Sequence, residues 1–432
     1  MRVLVVGAGA REHALVRRLA SDPGVTDLLA APGNPGIAEH ARIIDLAVTD
    51  VDRLSALARH ERVDFTIVGP ELPLSLGLVD RFEQDGLPVF GPTARAARLE
   101  SSKAFAKDFM ARHRVPTARY QTFTKATGAR SLVRSGDLGF PIVLKADGLA
   151  AGKGVVIAAD RVEAEAAVSA AMEERRFGDA GNTLVLEECL TGPEVSFFVV
   201  SDGTSALPIG TAQDHKRIFD DDRGPNTGGM GAFAPSPLVG RALHARIMHE
   251  IVEPVVRGMA AEGNPFRGFL YVGLMLTTTG PKVIEFNVRL GDPEAQVILP
   301  LVGEPLLPLL QAAARGELRQ STCQLVADRL VGVVLASRGY PESAESGQPI
   351  SGLADASALG DVSVFHAGTV RRGDEIITAG GRVLTVVGRG DDFPIAIARA
   401  YAGVAAIQFD GMQYRRDIGL RALSPKSQVL SP

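Results

Sequence analysis

The chain has 432 residues, of which 46% are hydrophobic and 22% are charged, and its formal net charge is −4. This length predicts about two to four domains, and the composition is typical of a globular protein rather than of a low-complexity chain. The slightly acidic balance excludes a general attraction to nucleic acid or anionic membranes, so local basic groups must bind any anionic ligand.

The two cysteines, Cys189 and Cys323, have no metal-type or redox-type neighbours. We therefore expect both to be buried side chains of a protein in a reducing compartment. The chain opens on the apolar stretch MRVLVVG without a leader pattern, and no apolar run approaches the ~18 residues that span a bilayer. The sequence predicts a cytoplasmic protein that binds neither membranes nor nucleic acid.

Residues 1–102 alternate four apolar, strand-like runs with helix-like stretches, which predicts a parallel sheet covered by helices. Such sheets bind ligands at the carboxyl ends of their strands, and those ends carry the sequences GAGARE, APGNPG, GPE and GPT. Gly7 and Gly9 could therefore approach a single phosphate at the start of the first helix. A dinucleotide site is not expected, because Glu12 replaces the third glycine of the usual motif and no acid ends the second strand.

The segment 139–158, GFPIVLKADGLAAGKGVVIA, predicts two strands joined by a glycine-rich loop. Lys145 ends the first strand and Lys153 lies in the loop, so two cations and accessible backbone amides could bind a triphosphate. The loop is not a Walker A sequence, because Gly154 stands where Ser or Thr would be required. A surface hairpin with two solvated lysines explains the same pattern.

Acidic residues interrupt the apolar runs of TLVLEECLTGPEVSFFVVSDG, which predicts two strands around a turn. A buried carboxylate is costly unless it is paired, so Glu187 and Glu194 are candidates to contact an adenine edge and a ribose hydroxyl. Glu188 could instead face outward as an ordinary strand residue. In the helix predicted over residues 100–113, we expect Lys107 and Arg112 to form a solvated face.

The stretch 213–237 is the longest loop-like segment of the chain, and its charged start and glycine-rich end predict an ordered binding loop. His215 in this stretch is expected to be solvated. A second predicted hairpin follows, formed by GFLYVGLML and KVIEFNVR.

In the second strand of that hairpin, Glu285 and Asn287 are two positions apart and therefore share one face. A carboxylate and an amide oxygen beside a phosphate-binding loop suit a Mg²⁺ site. Arg289 continues the same face and could bind a carboxylate or phosphate with two hydrogen bonds. A plain amphipathic edge strand would explain the alternation too. The apolar residues between these positions are expected to face the core: Ile284, Phe286 and Val288.

Together these segments resemble the phosphoribosylamine–glycine ligase family of purine biosynthesis, within the ATP-grasp superfamily. The resemblance covers nearly the whole chain and is carried by the motifs VGAGAREHAL, AAPGNPG, TIVGPELPL, FGPT, SSKAFAKDFM, IVLKADGLAAGKGV, QDHKRIFDDDRGPNTGGMGA, VIEFNVRLGDPE and FHAGT. The segment from QDHKR to GPNTGGMGA is the most specific of them. Leu290 departs from the family pattern, in which an aromatic residue precedes GDPE.

The resemblance implies an ATP-dependent carbon–nitrogen ligase that joins glycine to 5-phosphoribosylamine through glycyl phosphate. It implies a multidomain fold of α/β and α+β type: an N-terminal α/β domain with a parallel sheet (1–102), an ATP-grasp domain (103–327) with a lid at about 120–195, a small C-terminal α+β domain (328–425) and a flexible tail (426–432). It also implies Mg²⁺ or Mn²⁺, small-molecule substrates and a monomeric protein.

Matched position by position, the resemblance also assigns the site residues. The residues that would contact ATP are Lys103, Lys145, Lys153, Glu187, Leu190 and Glu194. The metal ligands would be Glu285 and Asn287. The residues that would bind the other substrates are Gly7, Gly9, Lys216, Asn226, Thr227, Gly228, Gly229 and Arg289. The catalytic residues would be Lys153, Asp214, Arg289 and Asp292. Because the substrates are themselves the nucleophiles, no Ser–His or Cys–His pair is required.

Three other functions fit parts of the pattern. Another ATP-grasp enzyme, such as a carboxyaminoimidazole ribonucleotide synthetase or a biotin-carboxylase-like protein, is disfavoured by the segment from QDHKR to GPNTGGMGA. A nucleotide-binding oxidoreductase built on the first domain is disfavoured by Glu12. A sensor that binds a nucleotide without turnover is disfavoured by the Glu285–Asn287 pair.

Overall fold

The structure is a computed structural model that describes residues 1–149 and 154–424. The α-helices of these residues are α1 (Ala10–Ala20), α2 (Val51–His60), α3 (Glu71–Ser75), α4 (Leu78–Gln84), α5 (Arg98–Ser101), α6 (Lys103–Arg112), α7 (Ala126–Ser135), α8 (Arg161–Val168), α9 (Arg241–Ile247), α10 (Glu253–Ala261), α11 (Ala295–Ile298), α12 (Leu306–Arg315), α13 (Leu353–Ala358), α14 (Phe393–Ala406) and α15 (Leu420–Leu423). Two π-helical turns continue α8 and join α9 to α10, at Ser169–Glu173 and Met248–Val252.

The strands of the described residues are β1 (Arg2–Gly7), β2 (Asp27–Pro32), β3 (Arg42–Ile43), β4 (Phe65–Val68), β5 (Val89–Phe90), β6 (Tyr120–Phe123), β7 (Ile142–Ala146), β8 (Val155–Ala158), β9 (Leu184–Glu188), β10 (Glu194–Asp202), β11 (Ala206–Asp214), β12 (Arg217–Phe219), β13 (Arg223–Asn226), β14 (Gly231–Ala234), β15 (Arg267–Thr277), β16 (Gly280–Asn287), β17 (Arg329–Ala336), β18 (Val362–His366), β19 (Thr369–Arg372), β20 (Glu375–Thr378) and β21 (Arg382–Gly390).

The N-terminal part is a five-stranded parallel sheet in the order β3-β2-β1-β4-β5. Its central strand is buried on both faces: Val3 and Val5 pack into one hydrophobic cluster, and Leu4 and Val6 pack into another. Parallel sheets are covered on both sides by their crossover helices, which explains the continuous apolar run at the start of the chain. The predicted parallel sheet is confirmed, and the short edge strand β3 is an addition to it.

The predicted lid segment contains a four-stranded antiparallel sheet in the order β6-β9-β7-β8. Helices α7 and α8 cover one face of this sheet through a small separate hydrophobic cluster. The hairpin predicted for residues 139–158 is confirmed, because β7 and β8 pair from Ile142 with Ala158 to Lys145 with Val155.

The central sheet has eight antiparallel strands in the order β16-β15-β10-β11-β14-β17-β21-β18. It runs from the hairpin that carries Glu285 to strands of the C-terminal segment, so one sheet crosses the predicted boundary at residue 328. The hairpin of β15 and β16 is confirmed. Strands β9 and β10, predicted as neighbours around a turn, belong to different sheets.

Two local expectations need correction. The stretch 213–237, predicted as an ordered binding loop, is ordered but contains the short hairpin of β12 and β13 and the sheet strand β14. The predicted helix over 100–113 is broken at Ser102, whose hydroxyl caps α6 by accepting a hydrogen bond from the backbone of Phe105.

Three side chains also differ from their predicted environments. Cys189 and Cys323 are half-buried rather than fully buried, and burial raises the pKa of both thiols. His215 is fully buried beside the ring of Phe233 instead of being solvated. Burial lowers the pKa of His215 to about 3, so this imidazole is neutral.

No helix in the described parts of the chain is both long and apolar enough to cross a membrane.

Candidate active site

A cavity of about 660 Å³ lies where the N-terminal helices, the lid, the central sheet and the C-terminal segment meet. Most of the site residues inferred from the sequence line this one cavity: Lys103, Lys145, Glu187, Asp214, Lys216, Thr227, Gly228, Glu285, Asn287, Arg289 and Asp292. They come from segments nearly 200 residues apart, which the packing of the three sheets brings together.

Other predicted residues do not line the cavity in the described structure: Gly7, Gly9, Leu190, Glu194, Asn226 and Gly229. Glu194 is linked to the cavity through Lys216, whose Nζ lies 2.5 Å from its carboxylate. Asn226 is exposed at the end of β13. Lys153, predicted to contact ATP and to act in catalysis, lies outside the described residues.

One wall of the cavity carries a buried cluster of Lys107, Lys145 and Glu187. The Glu187 carboxylate lies 2.8 Å from Lys107 Nζ and 3.0 Å from Lys145 Nζ. All three side chains are less than 8% exposed. The Oε1 atom of Glu187 accepts no hydrogen bond of good geometry from the described residues, so it can still accept one from a ligand.

The expectation that Lys107 belongs to a solvated face is wrong. Its ammonium donates a hydrogen bond to Thr117 at 2.8 Å and lies 5.6 Å from the centre of the Tyr120 ring. Burial lowers the pKa of Lys107 to about 8, and the neighbouring carboxylate of Glu187 opposes this shift. Arg112 is solvated, as predicted, and pairs with Glu262 at 3.0 Å.

Lys103 and Lys145 are fixed by backbone carbonyls as well as by charge. Lys103 is the first residue of α6 and donates to the carbonyl of Gly148 at 2.8 Å. Lys145 donates to the carbonyl of Ile284 at 3.0 Å, which ties the lid hairpin to the strand of Glu285. Burial lowers the pKa of Lys103, while Glu285 opposes the shift.

Glu285 and Asn287 both lie on β16 and line the cavity. The pairing of β15 and β16 shifts register between Gly273 and Leu274, so that Ile284 is an extra residue in β16. At this bulge Ile284 lines the cavity instead of facing the core as predicted. Phe286 and Val288 are buried in the core, and Phe286 also contributes to the cavity lining.

The side chains of Glu285 and Asn287 fit a divalent cation. Neither forms a hydrogen bond within the described part of the chain, so their oxygens are available as ligands. Burial alone would raise the pKa of Glu285, but Lys216, Lys145 and Lys103 outweigh it and hold this pKa below its usual range. An ionised carboxylate with an amide oxygen is a hard donor set.

No group of three or more His, Cys, Asp or Glu side chains within the described residues could hold a metal ion by itself. A cation bound at Glu285 and Asn287 would therefore take its other ligands from a substrate and water. This is the usual arrangement for Mg²⁺ at phosphate-transfer sites.

Arg289 is held between two acidic side chains that the sequence did not single out. Its guanidinium lies 3.1 Å from Glu71 on α3 and 3.0 Å from Glu100 on α5. Burial alone would lower the pKa of Arg289, but Glu100 and Glu71 raise it, so the guanidinium stays charged. Glu71 is the last residue of the GPE sequence, and Glu100 lies three residues before Lys103.

Asp214 and Lys216 flank the buried His215 at the end of β11, and both line the cavity. Burial raises the pKa of the Asp214 carboxyl well above its usual range, although Lys216 opposes this shift. Burial would lower the pKa of Lys216, but Glu194 and Asp214 raise it. This part of the site therefore combines a fixed cation with a carboxyl that readily holds a proton.

The turn at Gly7 and Gly9 already holds an anion from the chain itself. The Gly9 amide donates to Glu12 Oε2 at 2.6 Å, and Arg11 Nε lies 2.6 Å from Glu12 Oε1. A Cβ atom at Gly7 would lie 2.4 Å from Glu12 Cγ, so the side chain of Glu12 fills the space above the turn. A phosphate at this turn would meet a carboxylate.

The cavity also has lining residues that sequence reasoning missed: Arg11, Glu71, Glu100, Lys107, Tyr271, Glu294, Tyr340 and Arg382. The last two come from the C-terminal segment. No spacing pattern links that segment to the ATP-grasp motifs, and long-range contacts such as the pairing of β17 with β14 hold it beside the cavity.

Models of the phosphoribosylglycinamide synthetase family match almost the whole chain. The N domain matches residues 1–100, the ATP-grasp (A) domain matches residues 101–295, and the C domain matches residues 330–421.

Curated relatives and solved structures agree with these matches. A phosphoribosylamine–glycine ligase of Xanthomonas axonopodis is 50% identical, with 99% of this chain and 100% of the relative covered. One from Vibrio cholerae is 49% identical, with 98% and 99% covered. The structure of phosphoribosylamine–glycine ligase from Thermotoga maritima matches with a TM-score of 0.85 and 32% identity, covering 96% of this chain and 100% of that one.

A biotin carboxylase from Campylobacter jejuni matches with a TM-score of 0.74 over 98% of this chain and 95% of its own. Its identity of 17% shows a shared fold alone.

Proposed function

The chain belongs to the phosphoribosylglycinamide synthetase family, and on this premise we propose that it ligates glycine to 5-phosphoribosylamine at the expense of ATP. The products are glycinamide ribonucleotide, ADP and phosphate. The observation that carries the proposal is the cavity itself, in which buried lysines and the oxygen donors Glu285 and Asn287 lie on adjacent walls.

The reaction has two balanced steps. A carboxylate oxygen of glycine attacks the γ-phosphorus of ATP, the bond from that phosphorus to the β,γ-bridging oxygen breaks, and ADP leaves. The amine of phosphoribosylamine then attacks the glycyl carbon, phosphate leaves and the amine loses a proton. The protein contributes positioning, positive charge and exclusion of water from the acyl phosphate.

We assign the nucleotide to the wall formed by Lys103, Lys145 and Glu187. Two lysines held by backbone carbonyls can neutralise phosphates without reorganising, which favours the transition state. Oε1 of Glu187 is ion-paired with Lys145 but accepts no hydrogen bond from the described residues, which suits the 6-amino group of adenine. Leu190, Glu194 and Lys153 keep their predicted roles in ATP binding as proposals.

The ATP-grasp family uses ATP with a divalent metal ion. Glu285 and Asn287 would hold that ion, and we propose Mg²⁺ or Mn²⁺ because both are hard cations that favour such donors. When bound, the ion neutralises charge on the phosphates and orients them. Lys103, Lys145 and Lys216 hold Glu285 ionised and thereby ready to bind it.

Glycine and phosphoribosylamine are assigned to the region of Asp214, Lys216, Arg289 and Asp292. Asp214 is a candidate to accept the proton that the amine loses, since a carboxyl with a raised pKa is a better base near neutral pH. The loop 226–229 keeps its predicted role in substrate binding. The assignment of the sugar phosphate to Gly7 and Gly9 is not kept, because the Glu12 carboxylate occupies their turn.

The substrates are small molecules, and we retain as proposals a cytoplasmic, monomeric protein and the domain boundaries at 102, 327 and 425.

The experiment is phosphate release from Mg-ATP, with glycine and phosphoribosylamine added separately and together. We expect release only with both, and a loss of roughly 10²-fold or more in kcat for Glu285→Ala. Glu375→Ala, at an exposed position of β20, is the matched control and should retain full activity. Release without glycine, or with bicarbonate in its place, would refute the named reaction.

A further inference from the structure

We propose that Arg382, the first residue of strand β21, binds the phosphate of the phosphorylated sugar substrate. This inference rests on the proposed function, in which two phosphate-bearing substrates enter one cavity. Lys103 and Lys145 are assigned to the phosphates of ATP, so the phosphate of the second substrate needs a different cation.

Most cations of the cavity are already balanced by close carboxylates. Arg289 lies between Glu71 and Glu100, and Lys216 contacts Glu194. The remaining pairs have the same character: Lys107 and Lys145 with Glu187, and Arg11 with Glu12. Among the described residues, Lys103 forms no ion pair, and Arg382 forms only a long one, at 3.6 Å from Asp292.

Lys103 belongs to the nucleotide wall, which leaves Arg382. Its Nη1 donates to the backbone carbonyl of Asp292 at 2.5 Å and to that of Gly228, and the Asp292 carboxylate is 3.6 Å away. That carboxylate oxygen also accepts a hydrogen bond from Gln296 at 2.9 Å. Within the described residues, Nε and Nη2 of Arg382 form no hydrogen bonds, so two nitrogens with three N–H groups remain for an anion.

The backbone holds Arg382 at the cavity edge. The FHAGT motif, whose function the sequence did not reveal, provides the Gly368 amide that donates to the Arg382 carbonyl at 2.9 Å. A Cβ atom at Gly368 would lie 2.7 Å from the Cα of Gly380, and one at Gly381 would lie 2.3 Å from the Tyr340 ring. Only glycine permits these approaches, so the motif fixes the point from which Arg382 extends.

The amides of the neighbouring loop are not available to the anion. The Gly228 amide donates to the Tyr340 hydroxyl at 2.8 Å, and the Gly229 amide donates to the Thr227 hydroxyl at 3.0 Å. At the other predicted anion site, the Gly9 amide is taken by Glu12. The guanidinium of Arg382 is therefore the group left to bind a phosphate here.

The test measures binding of ribose 5-phosphate, a stable phosphomonoester, to the full chain by calorimetry. We expect Arg382→Met to weaken this binding roughly 10- to 100-fold and Arg382→Lys to weaken it less, because a charged hydrogen bond is lost or only altered. Binding of Mg-ATP should stay within about twofold, which shows that the variant is folded. Arg372→Met, at an exposed position in the same segment, is the matched control.

Tyr340→Phe separates charge from loop position, since it removes a loop contact and leaves the cation. If it weakens ribose 5-phosphate binding as much as Arg382→Met does, Arg382 only positions the loop and the inference is wrong. Unchanged binding in Arg382→Met, or a rise in the KM for glycine instead of phosphoribosylamine, would also overturn it. A wild-type protein that binds no ribose 5-phosphate at all would count against the proposed function itself.

Discussion

The carboxylate of Glu187 lies between two lysines, so this buried cluster carries a net positive charge when all three groups are ionised. A buried charge is tolerated when it is paired and hydrogen-bonded, and an incoming polyphosphate would complete the pairing. Lys107 is bound by Thr117, and Lys145 is bound by the carbonyl of Ile284. We infer that Lys107 is a positioning residue, which orients Glu187 and balances part of its charge.

Replacing Lys107 with Met should raise the KM for ATP roughly tenfold or more and change the KM for glycine little, because Glu187 loses one charged partner. Lys107→Arg should restore most of the affinity. Steady-state kinetics measure both effects, with Lys125→Met, at an exposed position before α7, as the control. Equal rises in both KM values would indicate a general loss of structure instead.

The pH dependence gives a second readout of the same residue. Burial lowers the pKa of Lys107 to about 8, so the ammonium loses its proton as the pH rises through that value. The KM for ATP should therefore climb above pH 8 in the wild type and stay flatter in Lys107→Arg, whose guanidinium keeps its proton.

At this scale the sequence predicts the chemical type of most cavity residues, because strand alternation places Glu285 and Asn287 on one face. It does not predict that Lys107 is buried, because lysine side chains are mostly exposed and tertiary packing alone buries this one. It also places Ile284 in the core, because a bulge in one strand leaves no signal in the alternation of its residues.

Among the secondary-structure elements, the hairpin of β12 and β13 is held against the C-terminal segment by ion pairs and hydrogen bonds. The fully buried guanidinium of Arg415 pairs with Asp222 and Asp417 and donates to the carbonyl of Arg217. The backbone amide of Arg416 adds a hydrogen bond to Asp220 at 2.7 Å. These contacts fix the hairpin that leads into residues 226–229.

Arg415→Met should destabilise the protein by roughly 1.5–3 kcal/mol, because Asp417 loses its buried partner, whereas Asp222 keeps its contact with Arg421. We expect the KM for phosphoribosylamine to rise as well, since the hairpin leads directly into residues 226–229. Arg416→Met is the matched control, because Arg416 is the next residue in the chain and its side chain is exposed. Urea unfolding of both variants measures the difference, and similar midpoints would contradict the proposed role.

The positions of the strands are better predicted than the strands with which they pair. Apolar runs and turn residues locate β1, β2, β7, β8, β15 and β16, and adjacent hairpins pair as expected. Pairing between distant segments has no comparable local signal. The sequence therefore does not reveal that β14 joins β17, a contact that carries the central sheet into the C-terminal segment.

At the scale of the whole molecule, the N-terminal sheet docks on the C-terminal segment through two histidines. The His366 amide donates to His13 Nδ1 at 2.9 Å, and Asn34 donates to the carbonyl of His366 at 2.8 Å. A Cβ atom at Gly36 would lie 2.7 Å from His366 Cδ2, which shows how closely the two parts pack. The motifs AREHAL, APGNPG and FHAGT thus meet at one junction.

This junction should make the protein sensitive to acid. Burial lowers the pKa of His13 to about 2 and that of His366 to about 4, both below the unfolded value of 6.5. Between these values the unfolded chain binds more protons than the native one. Stability is therefore lost as the pH falls below 6.5, by up to about 1.4 kcal/mol per pH unit for each histidine.

Urea unfolding at pH 7 and pH 5 tests this expectation. His13→Gln keeps an acceptor for the His366 amide and removes one titrating group, so it should lose less stability on acidification than the wild type. His60→Gln is the control, because the His60 side chain is 84% exposed. An acid response in His13→Gln equal to that of the wild type would show that other groups cause it.

The most direct test of the central claim, amide formation through glycyl phosphate, follows one oxygen atom. Glycine labelled with ¹⁸O in its carboxylate is supplied with Mg-ATP and phosphoribosylamine, and the released phosphate is analysed by mass spectrometry. If the carboxylate attacks the γ-phosphorus and the amine then displaces phosphate, each phosphate carries one labelled oxygen. Unlabelled phosphate formed together with glycinamide ribonucleotide would contradict the acyl phosphate route.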